Sequence, residues 1–294
     1  ESKQYISASK FPIVIKADGL AAGKGVTIAH SAEEAYQALD DAMQKKIFGS
    51  AGTKVVIEDF LQGEEASFIV LCDGKKTIPF ASSQDHKARD NNDLGPNTGG
   101  MGAYSPAPIV TEKIHKQVMK KIIKPTIDGL KSEGITYKGF LYAGLMIKNS
   151  EISVLEFNCR FGDPETQPIL MRMESDLAEI CLLAAQGNLN EREISWTKDS
   201  ALGVVIASKG YPFEYEKNKE INNLENENPR QKVFHAGTKT HEGQVLSNGG
   251  RVLCVTALGS TLLDSKNLAY QKVKNIDWKD GFYRDDIGDK AIKS

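Results

Sequence analysis

The sequence predicts an α+β protein: two α+β lobes followed by a smaller, β-rich C-terminal piece. Three observations carry that reading. Residues 11–62 alternate short β-branched runs with one amphipathic helix around a glycine-rich segment. Two long strand-like runs, YKGFLYAGLMIKN and EISVLEFNCRF, follow one helix and precede two more. From Trp196 onward strands dominate, with one further helix. The expected divisions are 1–62, 63–193 and 194–294, with the last boundary near Glu193.

FPIVIK and VTIA are rich in β-branched residues and read as strands. Between them lies KADGLAAGKGV, Lys16 to Val26. It departs from the P-loop pattern G-x-x-x-x-G-K-[ST]: three residues separate Gly19 from Gly23, and Gly25 stands at the Ser/Thr position. A P-loop runs into a helix whose N-terminus completes the anion site, whereas a strand follows here. The segment therefore joins a hairpin. Taken alone it favours a solvated turn; the alternative is a flap whose backbone N–H groups and Lys24 close over phosphate.

SAEEAYQALDDAMQ reads as a helix, with Ser31 and Glu34 as a capping box and Ala35, Leu39, Ala42 and Met43 on one face. TKVVIEDF and EASFIVLCD read as strands. SSQDHKARDNNDLGPNTGGMGAYSPAP shows neither period and is expected to be a long loop, functional or disordered. Residues 111–131 form a helix with Ile114, Val118, Ile122 and Leu130 on one side, which Pro125 should kink or divide. Asn149 and Ser150 turn the next hairpin. Helices are expected over 165–173 and 176–186, the second capped by Ser175 and stopped by Gly187. In the last third ALGVVIASK, QKVFHAGTK and GGRVLCVTALG are strands, Asn248 and Gly249 a tight turn, and STLLDSKNLAYQKVKNI a helix. KNKEINNLENENPRQK is expected to be an exposed polar loop.

The 294 residues carry 37 basic and 39 acidic side chains, a net charge of −2, with no basic stripe suited to nucleic acid or anionic membrane. The longest apolar run, near Val204, is about seven residues, against the ~20 that span a bilayer. Cys72, Cys159, Cys181 and Cys254 form no C-x-x-C pair, and the five histidines show no metal-binding spacing. That pattern fits a reduced cytoplasmic protein without structural zinc.

The stretch most informative about chemistry is LEFNCRFGDPE, Leu155 to Glu165. Strand alternation places Glu156, Asn158 and Arg160 on one face after Ile152 and Val154, with Leu155, Phe157 and Cys159 on an apolar face. Carboxylate and amide oxygens suit Mg²⁺, and a guanidinium beside them suits a phosphoryl or carboxylate group. A solvated polar face at a sheet edge is the competing reading; a central hairpin position weighs against it, because polar groups buried there need partners. Asp163 and Pro164 read as the cap and first residue of a helix.

VIKADGLAAGKGV, QDHKARDNNDLGPNTGGMGAYSP and LEFNCRFGDPETQP together resemble the motifs of the glycinamide ribonucleotide synthetases, ATP-grasp ligases of purine biosynthesis. The resemblance runs from about Phe11 to the C-terminus through ASKGYP and VFHAGT, and GPNTGGMGAYSP separates this family from most other ATP-grasp ligases. It implies an ATP-grasp fold, two α+β lobes with ATP between them, the glycine hairpin being the flap. It implies phosphate contacts from Lys16, Lys24 and Lys87 with Gly23 and Gly25, adenine pairing along Glu58, Asp59, Phe60 and Leu61, and ribose contact at Glu65. Glu156 and Asn158 match the ligands of Mg²⁺ (or Mn²⁺); residues 142–147 lack the further acidic ligand of some superfamily relatives, so water and ATP oxygens would complete the shell.

The implied reaction has two steps. Glycine's carboxylate attacks the γ-phosphate of ATP, and the amine of 5-phosphoribosylamine then displaces phosphate. No enzyme nucleophile is needed. The expected catalytic roles are Arg160 on the acyl phosphate, Lys24 in phosphate contact and Asp85 on glycine's ammonium, with a turn cap as the alternative for Asp85. Asn97, Thr98, Gly99, Gly100, Met101 and Asp163 are expected at the substrates.

Expected partners are ATP, glycine and 5-phosphoribosylamine, with neither nucleic acid nor membrane, for a cytoplasmic monomer. The family's leading Rossmann-like domain and first ATP-grasp segment have no counterpart here, which implies part of a longer enzyme with weak or no ligase activity by itself. Two other readings stay open: another ATP-grasp carboxylate–amine ligase or carboxylase, and a non-catalytic ATP-binding piece. Loop spacing and hairpin context disfavour a P-loop NTPase.

Overall fold

The β-branched runs flanking the glycine-rich segment do pair with each other in the computed structural model, which describes residues 1–19, 21, 25–225 and 228–293. Two units emerge, one of residues 1–62 with 97–99, the other of 63–96 with 100–294. In the first, β1 (Ile13–Ala17) lies between β2 (Val26–Ala29) and β3 (Val55–Asp59), all antiparallel. A helix absent from the sequence reading, α1 (Ser2–Ala8), packs the fully buried Ile6 against Ile13, Ile15 and Ala29. In α2 (Ala32–Leu39) the Ser31 hydroxyl accepts the Glu34 N–H, and the Glu34 carboxylate accepts the His30 N–H at 2.8 Å. Glutamate thus reaches one residue beyond the standard box partner. Leu39 and Ala35 turn into the core as their spacing predicts.

The second unit opens with β4 (Glu64–Asp73) and β5 (Thr77–Pro79). The expected long loop is in large part folded. It holds β6 (Gln84–Asp85), β7 (Ala88–Asp90), β8 (Leu94–Asn97) and β9 (Gly102–Ser105). These strands are short, and β9 is buried along its whole length, so no alternation marks it. Next come α3 (Glu112–Val118) and α4 (Lys124–Ser132), divided by a π-helical turn at Met119–Ile123. Pro125 sits in the first turn of α4, where its missing N–H is tolerated. β10 (Lys138–Lys148) and β11 (Glu151–Asn158) form the predicted hairpin, turned by Asn149 and Ser150 at φ 51° and 67°.

The sheet order is β11-β10-β4-β5. Strict alternation along β4 sends Ala66, Phe68, Val70 and Cys72 toward Ile114 and Val118 of α3. It sends Ile69 and Leu71 toward α5 (Thr166–Met171) and α6 (Leu177–Gln186), through Ile169, Ile180 and Ala184. Asp176, not Ser175, caps α6: its carboxylate accepts two N–H groups, whereas the Ser175 hydroxyl accepts from Ser195. Gly187, at φ 75°, ends the helix as expected.

A second sheet follows the order β13-β16-β12-β9-β6, with β12 (Ser200–Ser208), β13 (Gln231–His235) and β16 (Arg251–Gly259). β9 pairs with β12, so this sheet draws strands from both sides of residue 193. Asn248 and Gly249 turn no hairpin, because β15 (Gln244–Ser247) pairs with β14 (Thr238–His241) while β16 pairs with β12 and β13. α7 (Leu262–Asn275) covers the sheet and carries a full Thr261–Asp264 capping box. The segment read as an exposed polar loop is anchored: Ile221 is buried, and its neighbours bridge to Leu246 and Asp277. Among the described residues no helix is long and apolar enough to cross a membrane.

Candidate functional site

A β-bulge decides which residues share a face of the first sheet. Gly144 stands opposite Glu156, but Leu145 stands opposite Val154, leaving Leu155 as an extra residue. Parity inverts there. Ile152 therefore packs with Leu145 and Ile147 beneath α3, while Glu156 and Asn158 lie on the opposite face with Gly144 and Tyr142. The expectation that Ile152, Val154, Glu156 and Asn158 share a face is corrected by this single inserted residue.

Two further corrections concern the same strand. β11 is an edge strand, not a central one, and Glu156 and Arg160 are exposed. Phe157, expected on a buried apolar face, is 42% exposed. The strand ends at Asn158, so Arg160 lies beyond the alternation; its guanidinium donates to the Phe161 carbonyl at 2.9 Å.

Register continues this face inward. Gly144 pairs with Ser67 and Met146 with Glu65, so Glu65 and Ser67 join Tyr142, Glu156 and Asn158. Ser67 also bridges Ser83 through backbone bonds of 2.8 and 3.2 Å. That bridge returns the chain to the same place and delivers Asp85 and Lys87. The Lys87 ammonium meets the Glu65 carboxylate at 2.6 Å. The Asn158 amide donates to Glu156 at 3.2 Å. The Ser67 hydroxyl donates to Glu165 at 2.7 Å and lies 3.0 Å from the Tyr142 hydroxyl, which must then donate to it.

The electrostatics follow from this crowding. Glu165 is buried, at 2% exposure, with a neutral hydroxyl as its donor. Burial raises the Asp85 carboxyl well above the usual carboxylate range; Lys87 opposes that, and Glu165 and Glu65 reinforce it. Burial works against the Lys87 charge, but Asp85 and Glu65 overcome it and hold the ammonium protonated far above its ordinary range. Burial, then Glu165 and Asp85, keep the Tyr142 phenol protonated too. Asp85, Glu65 and Glu156 thus act on Lys87, and Glu165 acts on Asp85, an excess of carboxylates over cations suited to a bound cation.

Sequence reasoning missed Ser67, Tyr142 and Glu165. Signals existed: Ser67 interrupts the apolar run of EASFIVLCD, and Glu165 closes the very stretch singled out for chemistry.

The other predicted residues are distributed as follows. In the first unit, Lys16 pairs with Glu58 at 2.6 Å; Asp59 ends β3, an edge strand, and Phe60 and Leu61 follow. Gly25 accepts the Ala17 N–H at the base of the hairpin; Gly23 and Lys24 lie outside the described residues. Asn97, Thr98 and Gly99 group with the first unit and Gly100 and Met101 with the second. Gly100 adopts φ 115°, and a Cβ there would stand 2.4 Å from Pro164 Cδ, so only glycine fits. The Met101 side chain is fully buried, and its N–H and carbonyl bond His86 and Val205. Asp163 caps no helix; α5 starts at Thr166, and the Asp163 carboxylate instead pairs bidentately with Arg251, at 3.1 and 2.7 Å.

Glu156 and Asn158 offer hard oxygen donors, and the surrounding carboxylate excess favours a cation, so the residues fit a divalent metal. No group of three or more His, Cys, Asp or Glu side chains is placed to hold a metal among the described residues, so ligand oxygens and water would complete such a shell.

Residues 1–166 match the family model described as phosphoribosylglycinamide synthetase, ATP-grasp (A) domain, which makes this an ATP-grasp protein. Residues 201–290 match the C domain of the same synthetase. The chain belongs to the phosphoribosylglycinamide synthetase family. It is 54% identical over 290 residues to the phosphoribosylamine–glycine ligase of Vibrio cholerae, covering 98% of this chain and 68% of that protein. The corresponding ligase of Escherichia coli O157:H7 is 55% identical over 292 residues, with the same coverage. The crystal structure of phosphoribosylamine–glycine ligase from Thermotoga maritima superimposes with a TM-score of 0.84 at 33% identity, covering 98% of this chain and 72% of that one. The biotin carboxylase domain of 2-oxoglutarate carboxylase from Hydrogenobacter thermophilus, crystallised with magnesium–ADP and bicarbonate, has a TM-score of 0.69 at 14% identity, covers 96% of this chain and 60% of that one, and shares the fold alone.

Proposed function

We infer that this chain is the ATP-grasp and C-terminal portion of an enzyme that joins glycine to 5-phosphoribosylamine, releasing ADP and phosphate. The observation that carries the reading is identity of 54% with phosphoribosylamine–glycine ligase across 98% of the chain. The carboxylate cluster on the β4–β10–β11 face supports it, because the reaction needs positioned charge rather than a nucleophile.

In this reading Glu156 and Asn158 hold Mg²⁺ or Mn²⁺, which when bound supplies charge neutralisation to the phosphates. Lys87 contacts phosphate and is kept charged by Asp85 and Glu65. Lys16, oriented by Glu58, contacts phosphate as well, and the 58–61 segment receives adenine. Asp85 and the buried Glu165 accept hydrogen bonds from glycine's ammonium, Arg160 steadies the acyl phosphate, and Arg251 anchors Asp163 beside Gly100. Neutral Tyr142 and Ser67 fix the Glu165 carboxylate in place.

The test is phosphate release from ATP by the full-length protein. Release that requires both glycine and phosphoribosylamine supports the reading; release driven by bicarbonate, or nucleotide binding without turnover, points to a carboxylase or a non-catalytic binder.

A further inference from the structure

Alternation along residues 85–88 divides the segment between two tasks. Asp85 and Lys87 are half-buried and interact with the carboxylate cluster. His86 and Ala88, between and after them, are buried at 4% and 7% exposure. What holds that buried side comes from the far end of the chain. Arg284 is 1% exposed, yet it carries a full charge. Its guanidinium donates to the Ala88 carbonyl at 3.0 Å, to Asp93 at 3.0 Å, and to both oxygens of Asp286 at 2.8 Å.

Neighbouring residues extend the grip. Asp286 accepts the Asn92 N–H at 2.7 Å, Asn91 accepts the Asp285 N–H at 3.0 Å, and the Gly288 N–H is donated to His86 Nε2 at 3.3 Å. The segment 284–288 therefore clamps 86–93 through bonds that span about the whole second unit in sequence. Ala88 is the residue directly after Lys87, so the clamp acts one peptide away from the proposed phosphate contact.

We propose that Arg284 is a positioning residue for catalysis: by fixing the Ala88 carbonyl and Asp93 it sets where Lys87 stands relative to Glu65 and Asp85. The proposal rests on the ligase reading above. A planar fork with several acceptors cannot be replaced by a point charge, so Arg284→Lys keeps the charge but loses the geometry. A displacement near 1 Å at a phosphate-contacting group costs on the order of a hundredfold in rate.

The experiment is a double-mutant cycle in the full-length protein with Arg284→Lys and Lys87→Ala, reading kcat and KM for ATP and glycine by steady-state phosphate release. Thermal melts confirm that each variant is folded at the assay temperature. Arg284→Lys alone is expected to lower kcat about 10- to 100-fold with KM for ATP changed less than about threefold. In the Lys87→Ala background the same substitution is expected to add almost nothing, because the group it positions is gone. Asp93→Asn and Asp286→Asn run the same cycle should Arg284→Lys fail to fold. Multiplicative losses in these cycles, or normal kcat in all three single variants, overturn the proposal. An unmodified protein with no glycine-dependent turnover overturns the ligase reading itself and the proposal with it.

Discussion

The Ser67 hydroxyl donates a 2.7 Å hydrogen bond to the Glu165 carboxylate, joining residues 98 positions apart in a buried setting. A buried carboxylate whose donor is a neutral hydroxyl retains a strong demand for a cation. Glycine's ammonium answers that demand in the proposed reaction.

Glu165→Gln should therefore raise KM for glycine roughly tenfold or more, since a hydrogen bond to a charged group contributes about 1.5–3 kcal/mol. KM for ATP should stay within about twofold. Gly162→Ala should mimic part of this loss, because a Cβ there would stand 2.7 Å from the Glu165 carboxyl carbon and push it aside. Steady-state kinetics with each substrate varied separately decide the matter; an unchanged KM for glycine in Glu165→Gln removes Glu165 from the ammonium site.

Glu156→Ala should abolish turnover while leaving the fold intact. Glu156 is exposed on an edge strand, where substitutions usually change stability by no more than about 0.5 kcal/mol. Titration with magnesium in the presence of nucleotide should show weakened metal binding. Near-normal activity at physiological magnesium would refute the metal assignment. Arg160→Lys should also lower kcat, as a point charge replaces a planar fork.

His86 makes stability depend on pH. Burial, then the nearby Arg284 charge, lower its pKa to about 4, against the opposing pull of Asp93 and Asp286. The ring is therefore neutral when folded while the unfolded chain binds a proton below about pH 6.5. The His86 contribution is intact above that value and falls as pH drops from about 6.5 toward 4, by up to about 3 kcal/mol. Urea denaturation at pH 7 and pH 5 should show a smaller pH gap for His86→Gln than for the unmodified protein; equal gaps would exclude His86 as the source.

The Asp163 carboxylate accepts two hydrogen bonds from Arg251, yet 57% of its side chain is exposed. Asp163→Asn should cost no more than about 1 kcal/mol of stability. If its work is to anchor the Pro164 turn against Gly100, KM values should shift by less than about threefold. A rise in KM for one substrate by tenfold would instead give Asp163 a direct binding role.

Much of the fold was legible because it is local. Capping residues act within one turn, which is why Ser31 and Gly187 could be read from spacing alone. The β10–β11 hairpin is marked by two long runs and two turn residues, and the family motifs lie in contiguous stretches. The amphipathic face of α2 and the candidate Glu156–Asn158 pair were visible for the same reason.

Tertiary structure decided the rest, because the deciding partners are remote. One bulge residue, Leu155, reversed the face on which Glu156 lies relative to Val154, and only pairing with β10 shows it. β9 carries no period because both of its sides are buried against strands and helices far along the chain. Asp163 meets Arg251 across 88 residues, Ser67 meets Glu165 across 98, and Arg284 reaches Ala88 across 196. Local propensity specifies elements, whereas a charge is placed by whichever distant groups can desolvate it and satisfy its hydrogen bonds; the sequence alone determined the longer strands and the motifs, and packing decided the short strands and which polar groups work together.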